Sequence, residues 1–282
     1  MRGLIIVAVI LSSACRPAGD GSSTAVANAG LSELARLIAD ARIVDLSHAY
    51  DDKTIYWPTQ SDFVFERGHN GMTDKGFYYA ANSFSSPEHG GTHIDAPIHF
   101  AAGKQTVDEI PLERLIGPGI VVDVTAATRE GKGGRDYLVA VSDFEAWETQ
   151  AGHQIPAGAI VLLRTGGGPH WLDRKAYMGT DERGEAAVAK LHFPGLAPEA
   201  ARWLVEQRSI GAIGLDTPSI DYGQSTMFEA HRLLLAANVP ALENVARLEE
   251  LPLEGFLVVA LPMKIRGGSG GPLRAVAIVP GG

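Results

Sequence analysis

Six apolar or β-branched runs of strand length, at 43–46, 120–124, 159–163, 210–215, 256–261 and 273–279, are spread through the chain, most of them bordered by Gly, Pro or Asp. Runs of that length with such borders read as strands. Between them, 143–149, 198–207 and 227–237 carry apolar residues at helical spacing; Pro198 suits a first helical turn and Asn238 a C-terminal cap. Strands and helices mix without a fixed repeat, which predicts a single α/β domain with a mixed sheet and no internal duplication. The length agrees, since 282 residues accommodate one large domain plus appendages. With 45% hydrophobic and 20% charged residues, the composition excludes a disordered chain, a coiled coil and a multispan membrane protein. Lys plus Arg number 24 against 33 acids, a net charge of −9 without any basic run, so nucleic acid is not an expected partner. The run Gly166-Gly167-Gly168 lacks a following Lys-Ser/Thr and is broken by Pro169, so it reads as a plain loop and not a phosphate cradle.

The N-terminus carries an address. Arg2, the apolar stretch 3–11 and the small residues Ser12-Ser13-Ala14 before Cys15 have the layout of an export signal over 1–15. The stretch is too short for an ordinary transmembrane helix of about 20 residues. The Ala14-Cys15 junction resembles a lipoprotein processing site, with Ser12 where leucine is usual, so the expected location is periplasmic or membrane-anchored through a lipid on Cys15. Residues 16–41 read as a Gly/Ser/Ala/Pro-rich tether followed by a leading helix at 31–40, leaving 42–282 as the folded domain. Cys15 is the single cysteine, which excludes an intrachain disulfide and a cysteine-based zinc site.

Three of the nine histidines fall within the string His89-Gly90-Gly91-Thr92-His93-Ile94-Asp95-Ala96-Pro97-Ile98-His99-Phe100. Gly90, Gly91 and Pro97 are poor helix residues, and offsets of 4, 6 and 10 scatter around a helical wheel. On a straight strand the even offsets would align the side chains but spread them over about 33 Å, too far for one ion. The backbone must therefore curl if these groups converge, and the two glycines and the proline allow it. Imidazole and carboxylate together form a common zinc set that also accepts manganese or iron. His48, His69, His153, His170 and His192 stand apart and read as ordinary core or surface residues.

The string resembles the HxGTHxDxPxH signature of the cyclase family, which includes bacterial kynurenine formamidase and isatin hydrolase. Asp45-Leu46-Ser47-His48, Trp57-Pro58, the stretch from Gly214 to Asp221, His231-Arg232-Leu233-Leu234-Leu235 and Leu242-Glu243-Asn244 extend the resemblance from about residue 42 to the end. It implies a swivelling β/β/α fold and a homodimer. It also implies metal ligation by His89, His93 and Asp95, with His231 and Glu243 completing sites for one or two Zn or Mn ions, and a general acid/base role for His99, whose alternative is a further ligand. Trp57, Phe84 and Ser219 are the expected substrate contacts. The function implied is metal-dependent hydrolysis of the C–N bond of a small aryl formamide such as N-formylkynurenine. The alternatives are opening of a cyclic amide or lactone, as with isatin, and an exported metal- or solute-binding protein without turnover. No His-Glu-x-x-His occurs, which sets a zinc peptidase aside.

Overall fold

Twelve strands account for most of the regular structure: β1 Arg42–Asp45, β2 Val64–Met72, β3 Tyr78–Ser85, β4 His93–Asp95, β5 Ile116–Asp123, β6 Leu138–Val139, β7 Ile160–Arg164, β8 Gly195–Leu196, β9 Ala212–Leu215, β10 Ala241–Glu243, β11 Phe256–Pro262 and β12 Gly270–Val279. Among the fully described elements, six helices accompany them: α1 Thr125–Glu130, α2 Val141–Ala151, α3 Arg174–Met178, α4 Glu185–Val188, α5 Pro198–Trp203 and α6 Glu229–Ala236. The computed structural model describes residues 35, 38–130 and 134–281. The export segment, Cys15 and the tether lie outside the described residues, and of the leading helix only 35, 38 and 39 are described as helical. No helix among the described residues is long and apolar enough to cross a membrane. Residues 41–282 fold as one unit.

Eight strands form one mixed sheet in the order β1-β12-β11-β5-β7-β9-β10-β4, and β4 also pairs with β12, which closes seven of them into a barrel. The β5-β7-β9-β10 segment is parallel, and every other pairing is antiparallel. All six strand runs read from the sequence are present with ends shifted by a few residues, and α2, α5 and α6 occupy the three expected helical segments. Past Trp203, α5 widens into a π turn over Leu204–Arg208.

Alternation along the strands divides the core into two layers. Val121, Ile160, Leu162, Ala212, Ile94, Leu242, Val258 and Ala275 fill the barrel side. Their neighbours Ile120, Val122, Val161, Leu163, Ile213 and Leu215 pack outward against Phe144 and Trp147 of α2, Ala200 and Ala201 of α5, and Ala230 and Leu234 of α6. Because Ile94 and Leu242 face the barrel side, His93, Asp95 and Glu243 face the opposite side, towards α6. The sheet pattern thus decides on which face the polar cluster assembles.

The 64–85 region, which falls outside the six strand runs read from the sequence, is a hairpin, β2 against β3, exposed along nearly its whole length. The backbone N–H groups of Gly166, Gly167 and Gly168 donate to the buried Asp216 carboxylate at 3.0 to 3.4 Å. This loop binds a carboxylate of its own chain, in keeping with its reading as a plain loop.

Candidate metal centre

The chain curls where the histidine string requires it. Gly91 has φ 59°, and a Cβ there would lie 2.6 Å from the Tyr50 ring; a Cβ on Gly90 would strike the Tyr56 ring. After the three residues of β4, Pro97 opens a single 3₁₀ turn, Pro97–His99, which brings His99 back over His89 with the two rings stacked at 3.8 Å. Strand register supplies the next partners: Glu243 of β10 lies opposite His93, and Ala241 opposite Asp95. His231 reaches the cluster from α6.

Five side chains converge. His93 Nε2 lies 3.3 Å from Asp95 Oδ1 and 3.4 Å from Glu243 Oε2; His231 Nε2 lies 3.1 Å from Asp95 Oδ2 and 3.2 Å from Glu243 Oε1; His89 Nδ1 lies 2.6 Å from Asp95 Oδ1. Two donors on a tetrahedral zinc at about 2.1 Å stand about 3.4 Å apart, so the His93, Asp95 and Glu243 atoms have the spacing of a coordination shell. His93 Nε2 is also buried without a hydrogen-bond partner, which a core tolerates poorly unless the lone pair is used. The residues fit a divalent cation. Asp95 belongs to both possible ligand groups, His93-Asp95-Glu243 and His89-Asp95-His99, which suits a bridging carboxylate and leaves His99 close enough to be a ligand.

Electrostatics point the same way. Burial raises Glu243, and the charge of Asp95 raises it further. Burial also works to raise Asp95, but His89, His231 and His93 together hold it well below the ordinary carboxylate value. Burial pulls His231 down, and its bonds to Asp221, Asp95 and Glu243 more than reverse this, leaving it well above an ordinary imidazole. Two adjacent buried carboxylates of this kind call for positive charge between them. His99 behaves differently: burial lowers it to about 4, only partly opposed by Asp95, so its ring is neutral near pH 7.

Each candidate-ligand histidine is held by an outer partner. His231 Nδ1 lies 2.6 Å from Asp221 Oδ2, and the same carboxylate accepts the backbone N–H groups of Ala230 and His231 at 3.1 Å, capping the first turn of α6. His93 Nδ1 lies 3.0 Å from the Gly91 carbonyl, which also accepts Asn244 Nδ2 at 2.7 Å; Tyr177 donates in turn to Asn244 Oδ1 at 2.8 Å. His89 Nε2 lies 2.9 Å from Ser269 Oγ. Such partners fix ring orientation and tautomer around metal ions. Asp221 and Asn244 stand in the strings that resemble the family but had no assigned role, and no spacing in the sequence singles out Tyr177 or Ser269.

A cavity of about 170 Å³ opens over the cluster, with Tyr56, Trp57, Phe100, Pro218, Ser219 and Phe228 among its walls. Trp57 and Ser219, two of the expected substrate contacts, both line this cavity. Phe84 is not brought to this cavity: it sits on β3, 53% exposed, stacked on Phe63. The hairpin carries it away from the cluster of its own chain.

The sequence model of the family described as "Putative cyclase" matches residues 44–222. The chain belongs to the cyclase family. An isatin hydrolase of Roseibium aggregatum is 35% identical over 73% of this chain and 77% of its own length, and a kynurenine formamidase of Salinibacter ruber is 27% identical over 83% and 96%. Isatin hydrolase A from Ralstonia solanacearum superposes with a TM-score of 0.76 at 33% identity, covering 95% of this chain and all of that one. The fold is the mixed-sheet barrel of cyclase-family structures, and the chain is, like these relatives, a metal-dependent hydrolase of that family. The family match ends before His231 and Glu243, so the convergence of those two residues on Asp95 is a separate observation.

Proposed function

We propose that this cyclase-family chain opens a small, uncharged cyclic aryl amide of the isatin type by hydrolysing its C–N bond. The observation that carries this is the lining of the cavity: among the described residues that form it, none is Lys or Arg, while Trp57, Phe100 and Phe228 offer aromatic surface. An aryl formamide such as N-formylkynurenine carries an amino-acid headgroup whose carboxylate finds no cationic side chain here. A flat neutral ring needs none. The two isatin hydrolases named above are 35% and 33% identical to this chain and the kynurenine formamidase 27%, which supports the reading.

His89, His93, Asp95, His231 and Glu243 are the residues that would hold the ion, Zn or Mn, at one or two positions. A divalent ion held there supplies Lewis-acid polarisation of the scissile carbonyl and lowers the pKa of the attacking water. His99, kept neutral by burial, would take the proton of that water and return it to the departing amide nitrogen. Trp57 packs on the aryl ring and Ser219 offers a hydroxyl. The presence of His99 weighs against a binding protein without turnover, since binding alone calls for no acid/base group. We further propose export with a lipid on Cys15, supported by the 1–15 signal pattern, and a homodimer built on the β2–β3 hairpin.

The test is a substrate panel with protein loaded with Mn²⁺ or Zn²⁺. We expect kcat/KM for isatin at least about 100-fold above that for N-formylkynurenine; the reverse order would restore the formamidase reading. No turnover of any aryl amide, lactam or lactone would favour the binding protein. His99→Ala should lower kcat by about 100-fold or more while bound metal stays at the wild-type level. Metal lost with it would move His99 into the ligand set.

A further inference from the structure

The loop Gly267-Gly268-Ser269-Gly270-Gly271 leads into β12 and was not marked by the sequence as part of any site. Its glycines let the backbone approach closely. A Cβ on Gly270 would lie 2.5 Å from the Ile94 carbonyl oxygen and 2.6 Å from the His89 ring, and a Cβ on Gly268 would lie 2.8 Å from a Glu88 carboxylate oxygen. Ser269 is thereby pressed between His89 and Glu88. Its Oγ lies 2.9 Å from His89 Nε2 and donates to Glu88 Oε2 at 2.6 Å, and the same Oε2 accepts the Ser269 backbone N–H at 2.9 Å.

The direction of these bonds follows from what each group can do. An ionised carboxylate only accepts, so the single hydroxyl proton of Ser269 is committed to Glu88. What Ser269 Oγ then presents to His89 is a lone pair, and the nitrogen opposite it must carry a proton. That fixes the hydrogen on Nε2 and directs Nδ1, the nitrogen 2.6 Å from Asp95 Oδ1, into the cluster. His231 and His93 are arranged the other way round, with Nδ1 facing an outer acceptor and Nε2 facing the carboxylates.

We propose that Ser269 and Glu88 are positioning residues that select the Nδ1-facing tautomer of His89 and so complete the metal site. The inference rests on the metal-dependent reading above. Neither residue touches the substrate cavity, so each acts through His89.

The test measures Zn²⁺ affinity by chelator competition, together with the unfolding temperature of the metal-free protein. Ser269→Ala should weaken Zn²⁺ binding by about 10- to 100-fold. Ser269→Thr, which keeps the hydroxyl, should restore it to within about threefold. The metal-free unfolding temperature should remain within about 2 °C of wild type in both. Glu88→Ala, which frees the hydroxyl proton to point either way, should weaken binding in the same sense, and ¹⁵N NMR of the metal-loaded wild type should show His89 protonated at Nε2. Equal Zn²⁺ affinity in wild type and Ser269→Ala overturns the proposal, as does a drop in metal-free unfolding temperature shared by the Ala and Thr variants. Wild-type protein that binds no divalent ion would instead overturn the metal reading itself, so the two failures are distinguishable.

Discussion

His48 lies flat against the indole of Trp171, the ring centroids 4.1 Å apart and the planes 6° from parallel. Burial first and then the charge of Arg247, partly opposed by Asp45, lower its pKa to about 4. The folded protein therefore resists a proton that the unfolded chain accepts near 6.5. Its contribution is fully present above pH 6.5 and is lost as the pH falls through that value towards 4. Between pH 7 and pH 5 this amounts to about 2 kcal/mol. His48→Phe keeps an aromatic ring against Trp171 and removes the titration, so urea unfolding in chelator should show wild type losing about 2 kcal/mol more than the variant over that interval. Equal losses would mean that the ring is protonated as readily in the folded protein as in the unfolded chain. The sequence reads His48 as one of several ordinary histidines, and it names no partner. The flat packing comes from residues 123 positions apart, and nothing local encodes it.

At the scale of elements, the two strands that matter most for the site were the hardest to read. β4 and β10 are three residues each, and β4 is polar at both ends because His93 and Asp95 face the cluster instead of the core. A polar-apolar-polar triplet has too few positions to show alternation. The longer strands were legible because both of their faces are buried, as in Ile160–Leu163, and so gave continuous apolar runs. The cluster of candidate ligands within the string was visible in the sequence through its density. His231 and Glu243 needed the family resemblance, because one looks like a helix residue and the other like a surface acid until β10 and α6 are brought beside β4. α6 also shows how one carboxylate serves both element and site. Asp221 accepts the first-turn N–H groups of Ala230 and His231 and holds the His231 ring. Asp221→Asn keeps one carbonyl oxygen and replaces the other acceptor with a donor. It should lower stability by about 1 kcal/mol through the weakened cap and weaken Zn²⁺ binding by about 10-fold or more through the released ring. Urea unfolding of the metal-free protein and a chelator titration read the two effects separately. A stability loss with unchanged affinity would show that α6, and not Asp221, orients His231.

At the scale of the whole molecule, the barrel unit satisfies its own core while the hairpin does not. Val64, Phe65, Met72, Phe77, Tyr78, Tyr79 and Phe84 are each about half exposed or more, and they lie on or beside two strands that pair only with each other. A two-stranded hairpin is marginal alone in water, so its persistence calls for something packed against it. Half of an aromatic or comparable side chain is about 100 Å², so these seven offer about 700 Å² per copy divided between the two faces of the hairpin, against the roughly 800 Å² that each partner contributes to a stable interface. A two-fold pair of copies would cover both hairpins at once, whereas a head-to-tail contact would leave one bare at each end. This is the basis on which the proposed homodimer predicts a specific outcome. Phe65 and Phe84 sit directly opposite each other across the strands, so replacing both with Ser removes an aromatic pair from one face of the hairpin without touching the barrel core. Light scattering during gel filtration should give twice the chain mass for wild type and one chain mass for the double variant, with far-ultraviolet circular dichroism of the barrel unchanged. A monomeric wild type, or a double variant that remains dimeric, would remove the hairpin as the interface. Phe84 would then be left with its stack on Phe63, neither in its own cavity nor between copies.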